Sequence, residues 1–111
     1  MSREVSFAAS EGALKMSVTP RRGRPYTHRC ALETYQNVAL HIEACAGGVT
    51  IEEVRERLDL PHTQVAVALA FMKERGCVEV RRRRSFPASR VFFEDAMLEY
   101  HALEHGAEGS S

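Results

Sequence analysis

Two closely spaced helices are the strongest folding signal in this chain. Thr50 and Glu53 have the spacing of a capping box, in which each side chain bonds the backbone N–H of the other residue. This pair predicts a helix over residues 51–58, and a second helix is predicted over 62–75, after a short corner and before Gly76. Consecutive helices joined by a short connection usually pack together, so this pair fixes the centre of the fold.

The segments on either side complete the predicted secondary structure. Apolar residues spaced three and four apart predict a helix over residues 28–46, with Thr27 as its N-cap. After the second helix, apolar and polar residues alternate, which predicts a ribbon with strands over 77–82 and 89–93. Acidic residues followed by large apolar ones predict a last helix over 94–105.

This order of elements resembles the winged helix-turn-helix family of bacterial and archaeal repressors. The resemblance covers residues 28–94 and is carried by the corner, the second helix and the first wing strand, at 58–65, Leu69, Met72, Gly76 and 78–82. It implies an α+β fold, mainly α, with a three-helix core, a two-stranded wing and an extra C-terminal helix. It also implies double-stranded DNA as the partner.

The length and composition allow one small domain with a tail at each end. With 111 residues, 44% of them hydrophobic, a second core is not expected. The expected division is a flexible basic arm over 1–26, a winged-helix domain over 27–94, a C-terminal helix over 95–106 and a disordered tail over 107–111. Within the arm, the apolar pattern indicates only a short strand over 14–18.

The formal net charge is zero, but the charges are segregated along the chain. Residues 73–90 carry seven Arg or Lys against two Glu, whereas residues 91–111 carry five acidic residues and no Arg or Lys. Because salt screens charges beyond about 8 Å, a basic segment can hold a phosphate backbone whatever the total charge is. The alternative is a strand edge protected by like charges. The arginines predicted to contact phosphates are Arg81, Arg82, Arg83, Arg84 and Arg90.

A second basic cluster precedes the domain, in the sequence Pro20-Arg21-Arg22-Gly23-Arg24-Pro25. It resembles the AT-hook, an arm that lies in the minor groove of A·T-rich DNA, although Arg21 stands where that family has Pro. The resemblance implies that the arginines lie in the groove and that Gly23 lets the backbone approach its floor. A basic, solvated linker is the alternative, and the residues favour neither one.

The outward face of the second helix decides how DNA would be read. In the family register, Val65, Leu69 and Met72 point inward, and the base-reading positions are His62, Thr63, Ala66, Val67, Ala70 and Phe71. Most of these lack the hydrogen-bonding groups that major-groove reading needs. One interpretation is that another element or chain covers the helix. The other is readout by the first turn with nearby charge, through His62, Thr63, Gln64 and Lys73.

Two functions remain open at this point. The preferred hypothesis is a small DNA-binding transcriptional regulator that grips duplex DNA, expected to be A·T-rich, through its wing and its arginine-rich arm. The alternative is an interaction module that docks a protein through Val67, Ala70 and Phe71 and reads no bases. The last helix carries large side chains that are predicted to pack on the first helix or on a second subunit, namely Met97, Tyr100 and His101. A homodimer is therefore expected.

The remaining residues give little sign of other chemistry. No catalytic Ser-His-acid or Cys-His-acid order and no phosphate loop stands out, so no enzyme, cofactor or small-molecule substrate is expected. His101 and His105 lie four apart, as do His41 and Cys45, but helix capping and core packing are favoured over metal binding. Three cysteines and the lack of a long apolar run favour a cytoplasmic protein outside the membrane.

Overall fold

The computed structural model describes residues 3–106, which form an α+β fold with two small antiparallel sheets and four helices. The first sheet has the order β1-β2-β3, with β1 Glu4–Ser10, β2 Ala13–Thr19 and β3 Tyr26–Ala31. The helices that follow are α1 Leu32–Glu43, α2 Ile51–Leu58 and α3 His62–Glu74. A hairpin of β4 Val78–Arg81 and β5 Arg84–Pro87, called the wing below, leads to α4 Phe92–Gly106.

The capping box at the start of α2 is present as the sequence predicts. The Thr50 hydroxyl accepts a hydrogen bond from the Glu53 N–H at 3.1 Å, and the Glu53 carboxylate accepts one from the Thr50 N–H at 3.1 Å. Gly76 follows α3 with a φ of 78°, a left-handed conformation that glycine adopts without strain. Both predicted helices of this pair are confirmed to within one residue.

The N-terminal segment is a folded sheet over residues 4–31, which corrects the expectation of a flexible arm over 1–26. β1 pairs with β2 and β2 with β3, and the expected strand over 14–18 lies within β2. Leu14 and Cys30 are fully buried in the core. Apolar residues that are sparse along the chain form one buried face only after three strands have paired, so the local pattern did not reveal the sheet.

The segment before α1 is a strand, so the helix begins at Leu32 and not near His28. The predicted N-cap Thr27 instead lies across from Ser17 in the sheet, with the two hydroxyl oxygens 3.1 Å apart. The Leu32 N–H donates to the Gly12 carbonyl in the β1–β2 turn at 2.9 Å. Pairing with β2 therefore outweighs the helical spacing of this segment, and the sheet supplies a bond at the start of α1.

The wing is a tighter hairpin than the sequence predicts. Arg82 and Arg83 alone form the turn between its strands, whereas the tip was predicted over 83–88. Ser85 is held by an isolated bridge to Val49, in which the Val49 N–H donates to the Ser85 carbonyl at 2.9 Å and the Ser85 N–H to the Val49 carbonyl at 2.7 Å. This partner lies far back in the chain, so the local sequence could not place β5.

The segment over residues 89–93, predicted as the second wing strand, leads into α4 instead. The Ser89 hydroxyl accepts a hydrogen bond from the Val91 N–H at 3.2 Å, and the Glu43 carboxylate accepts one from the Phe93 N–H at 3.0 Å. These side chains satisfy N–H groups that the first turn of a helix leaves without partners. The predicted tail over 107–111 lies outside the described residues.

One core draws side chains from the first sheet, all four helices of residues 3–106 and β4. Within it, burial raises the pKa of the Cys30 thiol to about 12 and that of Cys77 to about 11, so both remain protonated at neutral pH. No helix in the described part of the chain is long and apolar enough to cross a membrane.

Two buried tyrosines in this core differ in their hydrogen bonding. The Tyr35 hydroxyl donates to the Ala96 carbonyl at 2.7 Å, whereas the Tyr100 hydroxyl has no partner among the described residues. The two rings lie 5.6 Å apart between centroids, so they share one environment. A buried hydroxyl without a hydrogen bond lowers stability, because it has lost its water and gained nothing in return.

We expect Tyr35→Phe to lower the free energy of unfolding by about 1 kcal/mol, because it removes one buried hydrogen bond. We expect Tyr100→Phe to leave the free energy of unfolding unchanged or to raise it, because it removes a hydroxyl without a partner. Urea denaturation of both variants beside the wild type measures the difference. Equal destabilisation by the two substitutions would contradict this expectation.

Candidate nucleic-acid interface

Arg82 and Arg83 form the tip of the wing, and both are exposed. Their φ angles are 52° and 70°, so both central positions of the turn lie in the left-handed region. A two-residue hairpin turn of this kind favours Asn and Gly, and a residue with a bulky side chain costs about 1–3 kcal/mol in such a conformation. The chain nevertheless has arginine at both positions, which puts two guanidinium groups at the outermost point of the wing.

Arg84 is bound within the protein at the base of this turn. Its Nη2 donates to the Gly48 carbonyl at 2.8 Å and to the Glu53 carboxylate at 3.0 Å. Together with the bridge between Val49 and Ser85, these bonds fix the wing to the loop before α2. Arg84 was predicted to contact phosphates, but its donors are instead used to hold the wing in place.

The other predicted wing residues remain accessible. The Arg81 guanidinium lies over the Phe86 ring, 4.2 Å from its centroid, in a cation–π arrangement. A Cβ on Gly48 would come within 2.8 Å of the same ring, so glycine there lets Phe86 pack close to the backbone. Arg81 is exposed on β4, and Arg90 is exposed just beyond β5.

The first sheet covers part of the α3 face that was predicted to read bases or to dock a protein. Val67 and Phe71 are fully buried, and the Phe71 ring meets the Phe7 ring edge-on with 5.2 Å between centroids. Ala70 alone of the predicted docking residues is partly accessible. The prediction that this face docks a partner protein is therefore wrong, because the chain's own first sheet covers it.

A narrow strip of α3 remains on the surface. The Gln64 side chain, predicted to read bases, instead accepts a hydrogen bond from the Ala31 N–H at 3.1 Å and joins α3 to the end of β3. The exposed positions recur at intervals of three and four residues and therefore share one side of the helix. The accessible or partly accessible residues of this strip are His62, Thr63, Ala66, Ala70 and Lys73.

Arg21, Arg22 and Arg24 lie in the loop that joins β2 to β3, and all three are exposed. The strand pairing holds this loop at both ends. Gly23 has a φ of 97°, which bends the backbone, whereas an arm in the minor groove needs an extended chain. The arginines are accessible, but the loop does not have the shape that the AT-hook resemblance implies.

The α4 residues predicted to pack or to dimerise have different surroundings. Tyr100 is fully buried and Met97 partly buried within the chain, and the Tyr100 ring packs on Tyr35 of α1. His101 is exposed. Packing on the first helix, one of the two expected roles, is therefore present. Association with a second copy stays a prediction.

Two pairs of side chains that could ligate a metal lie near helix ends, and Cys45 lies in the loop just beyond the end of α1, not on the same helix face as His41. His41 and Cys45 are partly buried, with 3.7 Å between Nε2 and Sγ. His101 and His105 are exposed at the end of α4, and a carboxylate oxygen of Glu104 lies 3.2 Å from His101 Nδ1 and 3.4 Å from His105 Nε2. Glu104 was not among the predicted residues, although the spacing His-x-x-Glu-His places all three on one face of a helix.

Comparisons of the chain with protein-family models, curated proteins and solved structures found no match. The wing presents exposed guanidinium groups on a hairpin that is fixed at its base, and guanidinium groups bind phosphate oxygens through paired N–H donors.

Glu53 connects the two interactions that position this wing. The pKa of the Glu53 carboxyl is lowered from its ordinary value of 4.5. The main cause is the hydrogen bond from the Thr50 N–H, and the second is the hydrogen bond from the Arg84 guanidinium. A carboxyl whose pKa is lowered by folding stabilises the fold above its unfolded pKa, and this contribution is lost as the pH falls through the folded pKa.

We expect Glu53→Gln to be less stable than the wild type near neutral pH, and the difference to shrink as the pH is lowered below about 4.5. Chemical denaturation at a series of pH values measures the difference. Glu52→Gln is the matched control. It removes a carboxylate from the same helical turn, but this carboxylate bonds neither Thr50 nor Arg84 in the described structure. A constant difference between wild type and Glu53→Gln down to about pH 3 would contradict the expectation.

Proposed function

We propose that this chain is a small DNA-binding regulator of winged-helix type, which holds duplex DNA mainly through its wing. The observation that carries the proposal is the pair of arginines at the left-handed positions of the wing turn, Arg82 and Arg83. Strained backbone positions cluster at functional sites, and Asn-Gly would form the same turn with less strain. Two exposed guanidinium groups at a hairpin tip are suited to phosphate oxygens.

The way the wing is attached supports this proposal. Arg84 bonds the Gly48 carbonyl and the Glu53 carboxylate, and Ser85 pairs with Val49, so the base of the hairpin is held by side-chain and backbone bonds. A tip on a fixed base loses less conformational freedom on binding than a loose loop does. The order of α1, an extended residue paired with β5, α2, α3 and the hairpin also fits the winged-helix plan.

The surroundings of α3 favour contacts with the DNA phosphate backbone over extensive contacts with the bases. The major groove is about 12 Å wide, and a helix with its side chains is already about 10–12 Å across. Because the first sheet covers one side of α3, only the narrow strip of the helix that remains on the surface can approach the groove. Base contacts are therefore limited to its first turn, at His62 and Thr63, and phosphate contacts supply most of the affinity.

We expect Arg82→Asn combined with Arg83→Gly to weaken duplex binding by at least about tenfold and to reduce the slope of log K against log salt by about 2. The same double variant should raise the free energy of unfolding, because Asn-Gly relieves the strain of the turn. Fluorescence anisotropy at several salt concentrations measures the first effect, and urea denaturation measures the second.

The matched control is Arg3→Ala combined with Arg29→Ala, which removes the same charge from exposed positions outside the wing. If this control weakens binding as much as the wing variant does, net charge and not the wing is responsible. If the wing variant binds as tightly as the wild type, or the wild type does not bind duplex DNA, the proposed function is wrong.

We expect Arg22→Ala combined with Arg24→Ala to weaken binding to A·T-rich and G·C-rich duplexes to the same extent. The reason is that the loop is bent at Gly23 and held by strand pairing at both ends, so its arginines would contact phosphates and would not lie along the minor groove. Parallel titrations of the two duplexes measure the effect. A loss confined to the A·T-rich duplex would instead indicate an arm that extends into the minor groove.

A further inference from the structure

Three metal-ligating side chains converge on the last turn of α4. One donor atom from each of His101, Glu104 and His105 lies within 4.8 Å of the other two. Their hydrogen bonds and ion pairs within the described residues are with one another, and the imidazole rings are nearly parallel, 21° apart. The three side chains are therefore already arranged around a common point.

The distances between these donors match those around a zinc ion. Two ligands about 2.0–2.1 Å from Zn²⁺ at a tetrahedral angle are about 3.3–3.4 Å apart. The Glu104 oxygen lies 3.2 Å from His101 Nδ1 and 3.4 Å from His105 Nε2. The two histidine nitrogens lie within 4.8 Å of each other, and both side chains are exposed, so they are free to rotate toward a shared ion.

We propose that His101, Glu104 and His105 form a binding site for a divalent metal ion, and that this ion is Zn²⁺. Two imidazoles and one carboxylate are a donor set that Zn²⁺ takes in proteins, and three protein ligands leave a fourth position open. The carbonyl end of a helix carries partial negative charge, which also favours a cation at the last turn of α4. The site is independent of the proposed contact with nucleic acid.

The open position has space beside it. An open cleft of about 590 Å³ lies between the end of α4 and the turn that joins β1 to β2. Its lining includes Glu104 and His105 on one side and Ser10 and Glu11 on the other. A water molecule can complete the coordination there. The pair His41 and Cys45 offers only two donors, so it is the weaker site of the two.

Isothermal titration of the full chain with Zn²⁺ tests the proposal. We expect one ion to bind per chain, and His101→Ala combined with His105→Ala to weaken binding by more than about tenfold, since loss of even a supporting group costs about 10–100-fold. His41→Ala combined with Cys45→Ala is the control and should bind as the wild type does. Mg²⁺, which prefers oxygen ligands, should not compete.

A second measurement uses the unaltered chain, so it does not depend on a variant that folds. The imidazole proton resonances of His101 and His105 should shift on addition of Zn²⁺, and those of His28 and His62 should not. No binding to the wild type, full affinity in the α4 double variant, or a loss of affinity in the control as large as in that variant would each overturn the proposal. Competition by Mg²⁺ would also overturn it.

Discussion

The burial of α3 on two neighbouring sides is the interaction on which the rest of the structure depends. The Phe71 ring lies 5.2 Å from that of Phe7 in the first sheet and 6.0 Å from that of Tyr35 in α1, so one side chain joins the sheet to the helices. A fully buried side chain of this size stabilises a fold by about 1.5–3 kcal/mol. The sheet is therefore part of the core, and separating it from α3 would break the contact between Phe7 and Phe71.

Elements with local start and stop signals could be predicted from the sequence, and elements that depend on distant partners could not. The capping box of Thr50 and Glu53 is a contact between neighbours, and it placed α2 correctly. Thr27 is a residue type that favours the N-cap of a helix, but its place in β3 is decided by pairing with β2. The bridge from Ser85 to Val49 likewise joins residues whose relation is invisible in either local segment.

The candidate site shows the same division. The sequence indicated a basic wing, and nothing in the sequence alone distinguishes its four consecutive arginines from one another. In the fold, Arg84 is bound to the Glu53 carboxylate and the Gly48 carbonyl, whereas Arg82 and Arg83 are exposed at the turn. Their different roles follow from the register of one hairpin, because a shift of one residue would exchange the bound arginine with an exposed one.

The strain at the turn bears on whether its arginines bind a partner or only keep the strand edge soluble. A strand edge protected by charge needs cations along the strand, which would leave the two turn positions free for Asn and Gly. Arginine at both positions instead costs about 1–3 kcal/mol each, a sizeable share of the roughly 5–15 kcal/mol that stabilises a typical domain. Charge on the strands alone would protect the edge without that loss. Edge protection therefore does not explain arginine at these two positions, whereas the proposed contact with phosphates would explain it.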